Sequence, residues 1–202
     1  AYLDDEITAM PNLVTVGAGG TASTVAGIPF FSADNSIYTH DVSGTDDTAQ
    51  HNAAYGIGAM DAITTGDQNS ALGYNALSAN NTGAQNTAMG RLSLEANTSG
   101  DNNTAYGSST LSANSTADDN TAIGKGSMQA NTTGAANTAV GKDSLKANTT
   151  GTRNLAIGYQ AYTASDTEND NLAIGYQAMV TNTAGGQYNI AIGNYAADAL
   201  TS

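Results

Sequence analysis

The chain has 202 residues, of which Leu, Ile, Val and Phe supply only 29 and Ala 36, and its formal net charge is −13. At about 0.8 kcal/mol per buried methylene, that supply excludes a conventional globular core, and composition alone reads as disorder. The absence of Cys excludes disulfides, thiolate metal sites and cysteine nucleophiles, five basic against eighteen acidic residues disfavour nucleic acid and anionic membranes, and no apolar run approaches the ~20 residues of a membrane span.

Residues 1–51 form a module of their own. Both Pro (Pro11 and Pro29), both Phe (Phe30 and Phe31) and seven acidic residues lie there without a single basic one. The stretch 13–20 (LVTVGAGG) and the IPFF stretch at 28–31 predict short β segments separated by Gly-rich turns. GAGG is followed by no Lys, so it does not read as a phosphate loop. A stacked β structure needs its first layer covered, and the expectation for residues 1–51 is a cap that doubles as an attachment end. His40 and His51, with Asp41, Asp46 and Asp47 nearby, read as solvated loop residues rather than as a metal or acid-base site.

From residue 52 to 202 one pattern repeats nine times. Asn52, Asn69, Asn86, Asn103, Asn120, Asn137, Asn154 and Asn171 follow one another at intervals of seventeen, and Asn189 comes eighteen later. The third residue of every unit is Ala, the fourth is Tyr, Leu, Met, Ile or Val, and the fifth is Gly. Eight positions after the Asn stands a second large apolar residue: Met60, Leu77, Leu94, Leu111, Met128, Leu145, Tyr162 or Met179. Residues 120–136, NTAIGKGSMQANTTGAA, are one complete unit.

Seventeen residues with two large apolar side chains gain about 4 kcal/mol by burial against roughly 1.5 kcal/mol of ordering entropy per residue, so no unit folds alone. Stacking supplies the missing hydrogen bonds and burial. The pattern therefore predicts an all-β fold, a parallel β-solenoid or β-roll of nine repeats. Each unit is either one full coil or one side of an intertwined prism. Asn side chains then fall into ladders, one running from Asn52 to Asn189 and a second through Asn80, Asn97, Asn114, Asn131, Asn148 and Asn182, interrupted at Ser165. The period of two puts the Thr and Ile of NTAIG on one face and the Ala and Gly on the other. The small face is expected to meet a neighbouring chain rather than the opposite wall of a thin coil. Gly in the TG and TTG segments at 82–83, 98–100, 132–134 and 149–151 is expected to serve turns at positive φ.

The forms NLAIG at 154–158 and 171–175 and NIAIG at 189–193 resemble the head repeats of trimeric autotransporter adhesins. The longer unit, with NTA, Gly, Leu or Met and ANTTG, is similar to repeats of phage tail fibres and bacterial surface proteins. The resemblance covers about 52–202, and it implies a homotrimeric fibrous architecture. The unit is longer than the adhesin head repeat, and Thr87, Thr104, Thr121 and Thr138 stand where that repeat has an apolar residue. The expected role is a virion structural protein, a short trimeric tail or capsid fibre for host attachment or display; a secreted bacterial adhesin or filament subunit is the alternative. The lack of a signal-peptide pattern at the N-terminus favours the virion. Expected partners are two further copies, other virion or filament proteins through 1–51, and a host-surface glycan or protein, with no nucleic acid and no membrane insertion.

No cofactor is expected. Acidic residues in the turns at Asp67, Asp101, Asp118, Asp119, Glu168 and Asp170 are out of regular register, which favours solvation over Ca²⁺. They form no paired carboxylates in a groove, so a polysaccharide-degrading fibre enzyme is not expected. The residue after the repeat Gly varies and reads as outward. Tyr159 and Tyr176 fall there and would stack into a stripe able to contact a carbohydrate or protein; covering the Leu column or a subunit seam is the favoured reading.

Overall fold

The computed structural model describes residues 48–164, 166–181 and 186–198 in full and, as backbone, residues 23–25, 28–33, 36–38, 182 and 199–200. The expected strand at 13–20, the residues around His40, and Ser165 lie outside the described residues. The IPFF stretch falls in a strand, as its composition predicts.

In chain order the strands are β1 (Ser23–Val25), β2 (Ile28–Ala33), β3 (Ser36–Tyr38), β4 (Ala53–Tyr55), β5 (Ser70–Leu72), β6 (Thr87–Met89), β7 (Thr104–Tyr106), β8 (Thr121–Ile123), β9 (Thr138–Val140), β10 (Leu155–Ile157), β11 (Leu172–Ile174), β12 (Thr181–Asn182), β13 (Ile190–Ile192) and β14 (Ala199–Leu200). One sheet runs β1 through β11 and then β13 in sequence order, and β12 pairs with β14. The pairs β1–β2 and β2–β3 are antiparallel. From β3 onward every pairing is parallel, with Ala54 opposite Ala71 and so on to Ala173 opposite Ala191.

Nine parallel strands of three residues each thus make the repeat region a β-solenoid. The seventeen-residue unit is one full coil of one chain, because each strand pairs with the strand one repeat away on the same chain. Three-residue strands have no stability of their own. Here every level is tied to the next all round its circumference: around the fifth coil Thr121 N–H donates to Asn137 C=O at 2.9 Å, Met128 to Ser144 at 2.9 Å and Thr132 to Thr149 at 2.9 Å. At about 4.8 Å per strand, nine coils make a rod about 40 Å long.

The interior is narrow and its composition explains the sequence. Each strand has its central Ala buried and its two flanking residues turned outward. Ala fills one wall, the Met60 to Met179 column fills the opposite one, and small residues such as Ala76, Ser93, Thr110 and Ser127 lie between. The small column therefore meets the opposite wall of its own coil, not a neighbouring chain. A coil this thin leaves no room inside for a large side chain on both walls, so the outward face carries the Ile and Tyr instead.

The large core residues have a backbone cost that composition does not announce. Met60, Leu77, Leu94, Leu111, Met128, Leu145, Tyr162 and Met179 all have φ between 48° and 56°, the left-handed region that costs L-residues roughly 1–2 kcal/mol each. The tight corner aims each side chain into the coil, where all eight are fully buried.

The turn glycines act differently from expectation. Gly134 and its equivalents do not have positive φ; a Cβ on Gly134 would lie 2.3 Å from the Gly151 carbonyl oxygen and 2.6 Å from Asn131 Oδ1. Close approach, not torsion, limits the residue at Gly134, although the equivalent positions of two other coils hold Ala117 and Glu168. Positive φ falls instead on the Gly124 column and on non-glycine positions such as Ala136 and Arg153.

Candidate functional site: the outward sheet face and its flanks

The site is built on two ladders that hold every coil in register. In the first, each Asn receives the backbone N–H of the next: Asn69 to Asn52 Oδ1 at 2.8 Å, Asn120 to Asn103 at 3.1 Å, Asn189 to Asn171 at 3.0 Å. The same Asn donates Nδ2 across its own coil, as Asn120 does to the Gly134 carbonyl at 2.9 Å and Asn137 to that of Gly151 at 2.8 Å. The second ladder runs amide to amide, with Asn97 to Asn80 at 2.9 Å, Asn114 to Asn97 at 3.0 Å, Asn131 to Asn114 at 2.9 Å and Asn148 to Asn131 at 2.8 Å. Both ladders meet on one acceptor, since Asn131 also donates to the Gly134 carbonyl at 2.9 Å. Polar side chains buried in this way are fully bonded and fix a unique stacking.

The first ladder changes character where the second is interrupted. Tyr162 replaces Leu or Met in the core column, and its hydroxyl accepts from Asn171 Nδ2 at 2.6 Å. Glu168, buried at a position occupied elsewhere by Gly or Ala, accepts from the backbone N–H of Asp166 and Thr167 at 3.0 and 3.1 Å.

Against this rigid frame the outward face of the sheet presents one uninterrupted apolar column. Tyr55, Leu72, Tyr106, Ile123, Ile157 and Ile192 are exposed, and Met89, Val140 and Ile174 between them are half-buried. Beside it the first strand residue is Ala, Ser or Thr through the sixth coil and then Leu155, Leu172 and Ile190, so the apolar face widens over the last three coils.

On the flank following the strand, the residue after the repeat Gly is outward, as its variability predicts, with Tyr74, Arg91, Lys125, Lys142, Tyr159 and Tyr176 exposed. Arg91 lies 6.0 Å from the Tyr74 ring centre and Lys142 Nζ 5.0 Å from that of Tyr159. Tyr159 and Tyr176 stack at 5.4 Å with planes 9° apart, and Tyr195 meets Tyr176 edge-on at 5.3 Å. Tyr159 and Tyr176 are 38% and 41% exposed. Their faces are turned to one another, so they offer edges and hydroxyls outward.

Asp143 sits on the same flank between Lys142 and Lys146, each 3.1 Å away. Burial pushes its carboxyl up, but the hydrogen bonds and charges of the two lysines outweigh that and hold it below the ordinary carboxylate value.

The flank preceding the strand is acidic. Asp67, Asp101 and Asp118 are not merely solvated: each carboxylate accepts a backbone N–H from the coil before, from Gln50 at 2.7 Å, Ala84 at 2.7 Å and Asp101 at 2.8 Å. Asp170 holds Arg153 through two bonds of 2.7 and 2.8 Å, which keeps its carboxyl below the usual range. Among the described residues no cluster of three or more His, Asp or Glu is arranged to hold a metal ion, and no helix is long and apolar enough to cross a membrane. His51 is exposed.

No protein-family model matches the chain, and no curated protein or solved structure is significantly similar to it.

Proposed function

We propose that this chain is the shaft of a homotrimeric fibre of a virion, a tail or capsid fibre that displays or places a host-contacting element. The observation that carries this reading is the apolar column on the outward sheet face, which runs the whole length of the rod in a chain with few large apolar residues to spare. Contiguous exposed apolar surface on a soluble protein marks an association face, and a column in step with the coil repeat is matched by another copy of the same repeat. Three rods with their sheet faces turned inward bury that column and enlarge a meagre core without lengthening the chain. The segment 1–51, acidic and carrying the β1–β3 sheet that continues into β4, serves as cap and attachment end to other virion proteins. The Tyr159–Tyr176 stripe, in the same column as Lys125 and Lys142, covers the seam between copies.

The apolar-Ala-Ile-Gly form of the last three coils favours a second reading, a bacterial surface adhesin or filament subunit. Catalysis has no part in either. Sedimentation equilibrium should give three times the 20.3 kDa chain mass, and Ile123→Lys with Ile157→Lys should give a folded monomer by circular dichroism. Gold-labelled antibody against the rod should decorate purified virions at tail or capsid; decoration of cell envelopes from virion-free cultures would overturn the virion reading in favour of the adhesin. A monomeric wild-type chain would overturn both.

A further inference from the structure

The columns bordering the sheet carry opposite charge. Directly after the repeat Gly stand Arg91, Lys125 and Lys142 and no acid; in the two positions directly before the repeat Asn stand Asp67, Asp101, Asp118, Asp119 and Asp170 with one base, Arg153. Lys142 is engaged by Asp143 and Arg153 by Asp170. Arg91 and Lys125 are exposed and form no ion pair among the described residues, and Asp118 and Asp119 are likewise exposed without one. In these bordering columns the cations without an ion pair therefore lie on one side of the apolar column and the acids without one on the other.

Resting on the fibre reading, we infer that the partner of each rod is a second copy lying parallel to it, with the cationic flank of one against the acidic flank of the next. Symmetry makes the choice. Rotation about an axis parallel to the rod brings unlike flanks together, whereas an antiparallel pair related by a two-fold along the strands brings like flanks together. Like charges placed opposite one another disfavour the second arrangement. The levels also agree: Lys125 is seven residues from Asp118 and six from Asp119, and Arg91 is ten from Asp101. Each separation is less than the seventeen residues of a coil, so equivalent levels of two parallel rods place each cation within one coil of an acid. The apolar column supplies burial, and the flanks fix direction, which burial alone does not.

The chain has no Cys, so the geometry can be read by cross-linking. The double variant Lys125→Cys with Asp119→Cys, and each single variant, are oxidised with diamide, which takes the two hydrogens of a thiol pair and leaves a disulfide. Products are read on a non-reducing denaturing gel after circular dichroism has confirmed the fold. A strand and its corners separate the two positions within one chain, so a disulfide between them joins two chains. The expected result is covalent trimer from the double variant and monomer from either single variant. A trimeric wild type whose double variant stays uncross-linked, or whose Lys125→Cys variant alone gives covalent dimer, would overturn the flank pairing and leave the fibre standing. A monomeric wild type would overturn the fibre reading and the pairing with it.

Discussion

Asn137 donates its backbone N–H to Oδ1 of Asn120 at 3.0 Å, while Asn120 Nδ2 reaches the Gly134 carbonyl at 2.9 Å. One buried amide thus joins two coils and closes its own. Asn120→Ala leaves the buried Asn137 N–H without its acceptor, while the Gly134 carbonyl keeps its bond from Asn131 at 2.9 Å. At about 1–3 kcal/mol for a buried group so orphaned, the expected loss is about 2 kcal/mol, read as a lowered urea midpoint at unchanged slope. Asn189→Ala, half-buried in the last coil, should cost clearly less, and equal losses would contradict the ladder.

Gly124→Val should prevent folding rather than weaken it. The residue has φ +126°, and a Cβ there would stand 2.6 Å from the carbonyl carbon and oxygen of Gly141. Neither neighbour is a side chain that can swing away. The purified variant should lack the wild-type far-ultraviolet spectrum, and a native spectrum with normal melting would refute the close approach.

Ala136→Gly is expected to stabilise. Ala136 is exposed with φ 57°, so its methyl contributes strain without burial. Relief of roughly 1–2 kcal/mol is offset by the greater freedom of Gly in the unfolded chain, about 0.4–1 kcal/mol. A gain of about 0.5–1 kcal/mol should appear as a higher melting temperature. The same change at Leu111, also left-handed but fully buried, should destabilise.

The Asp143 carboxyl is held below its ordinary value when folded, so its ionised form stabilises the fold above the unfolded carboxylate value of about 3.9. That contribution is lost as pH falls through the lower folded value. Melting temperatures of wild type and Asp143→Asn should therefore differ at neutral pH and converge below about pH 4. A difference that persists at low pH would assign the effect to shape rather than charge.

The repeat length, the parallel stacking and both Asn ladders were legible because each depends on identity at a fixed interval. What the interval concealed was direction across the thin wall. Ala54 and its equivalents were open to two partners, an opposite wall or another chain, and only the closed path of the coil decides for the wall. The left-handed Leu and Met corners were equally hidden. Leu111 has no local preference for φ 50°, and it is the burial available at that corner that selects the conformation. Gly134 was recognised as special for the wrong cause, because a recurring Gly marks a crowded position without telling torsion from contact. The charge of the two flanks was present in the residue order. It became readable once the strand at 121–123 showed which residues lie on which side.

Since every coil offers the next the same donors, acceptors and columns, the rod is a ruler graduated in residues. Inserting a copy of 120–136 lengthens it by one graduation, about 4.8 Å, and disturbs nothing on either side. Inserting one residue between the Asn and the Ala of a strand would turn that coil's Ala outward. The eighteen-residue step between Asn171 and Asn189 is accommodated outside the strands, for Asn171 still reaches the Gly186 carbonyl at 2.9 Å. Reach is therefore heritable in whole steps, by duplication or deletion of a unit, without redesign of any contact.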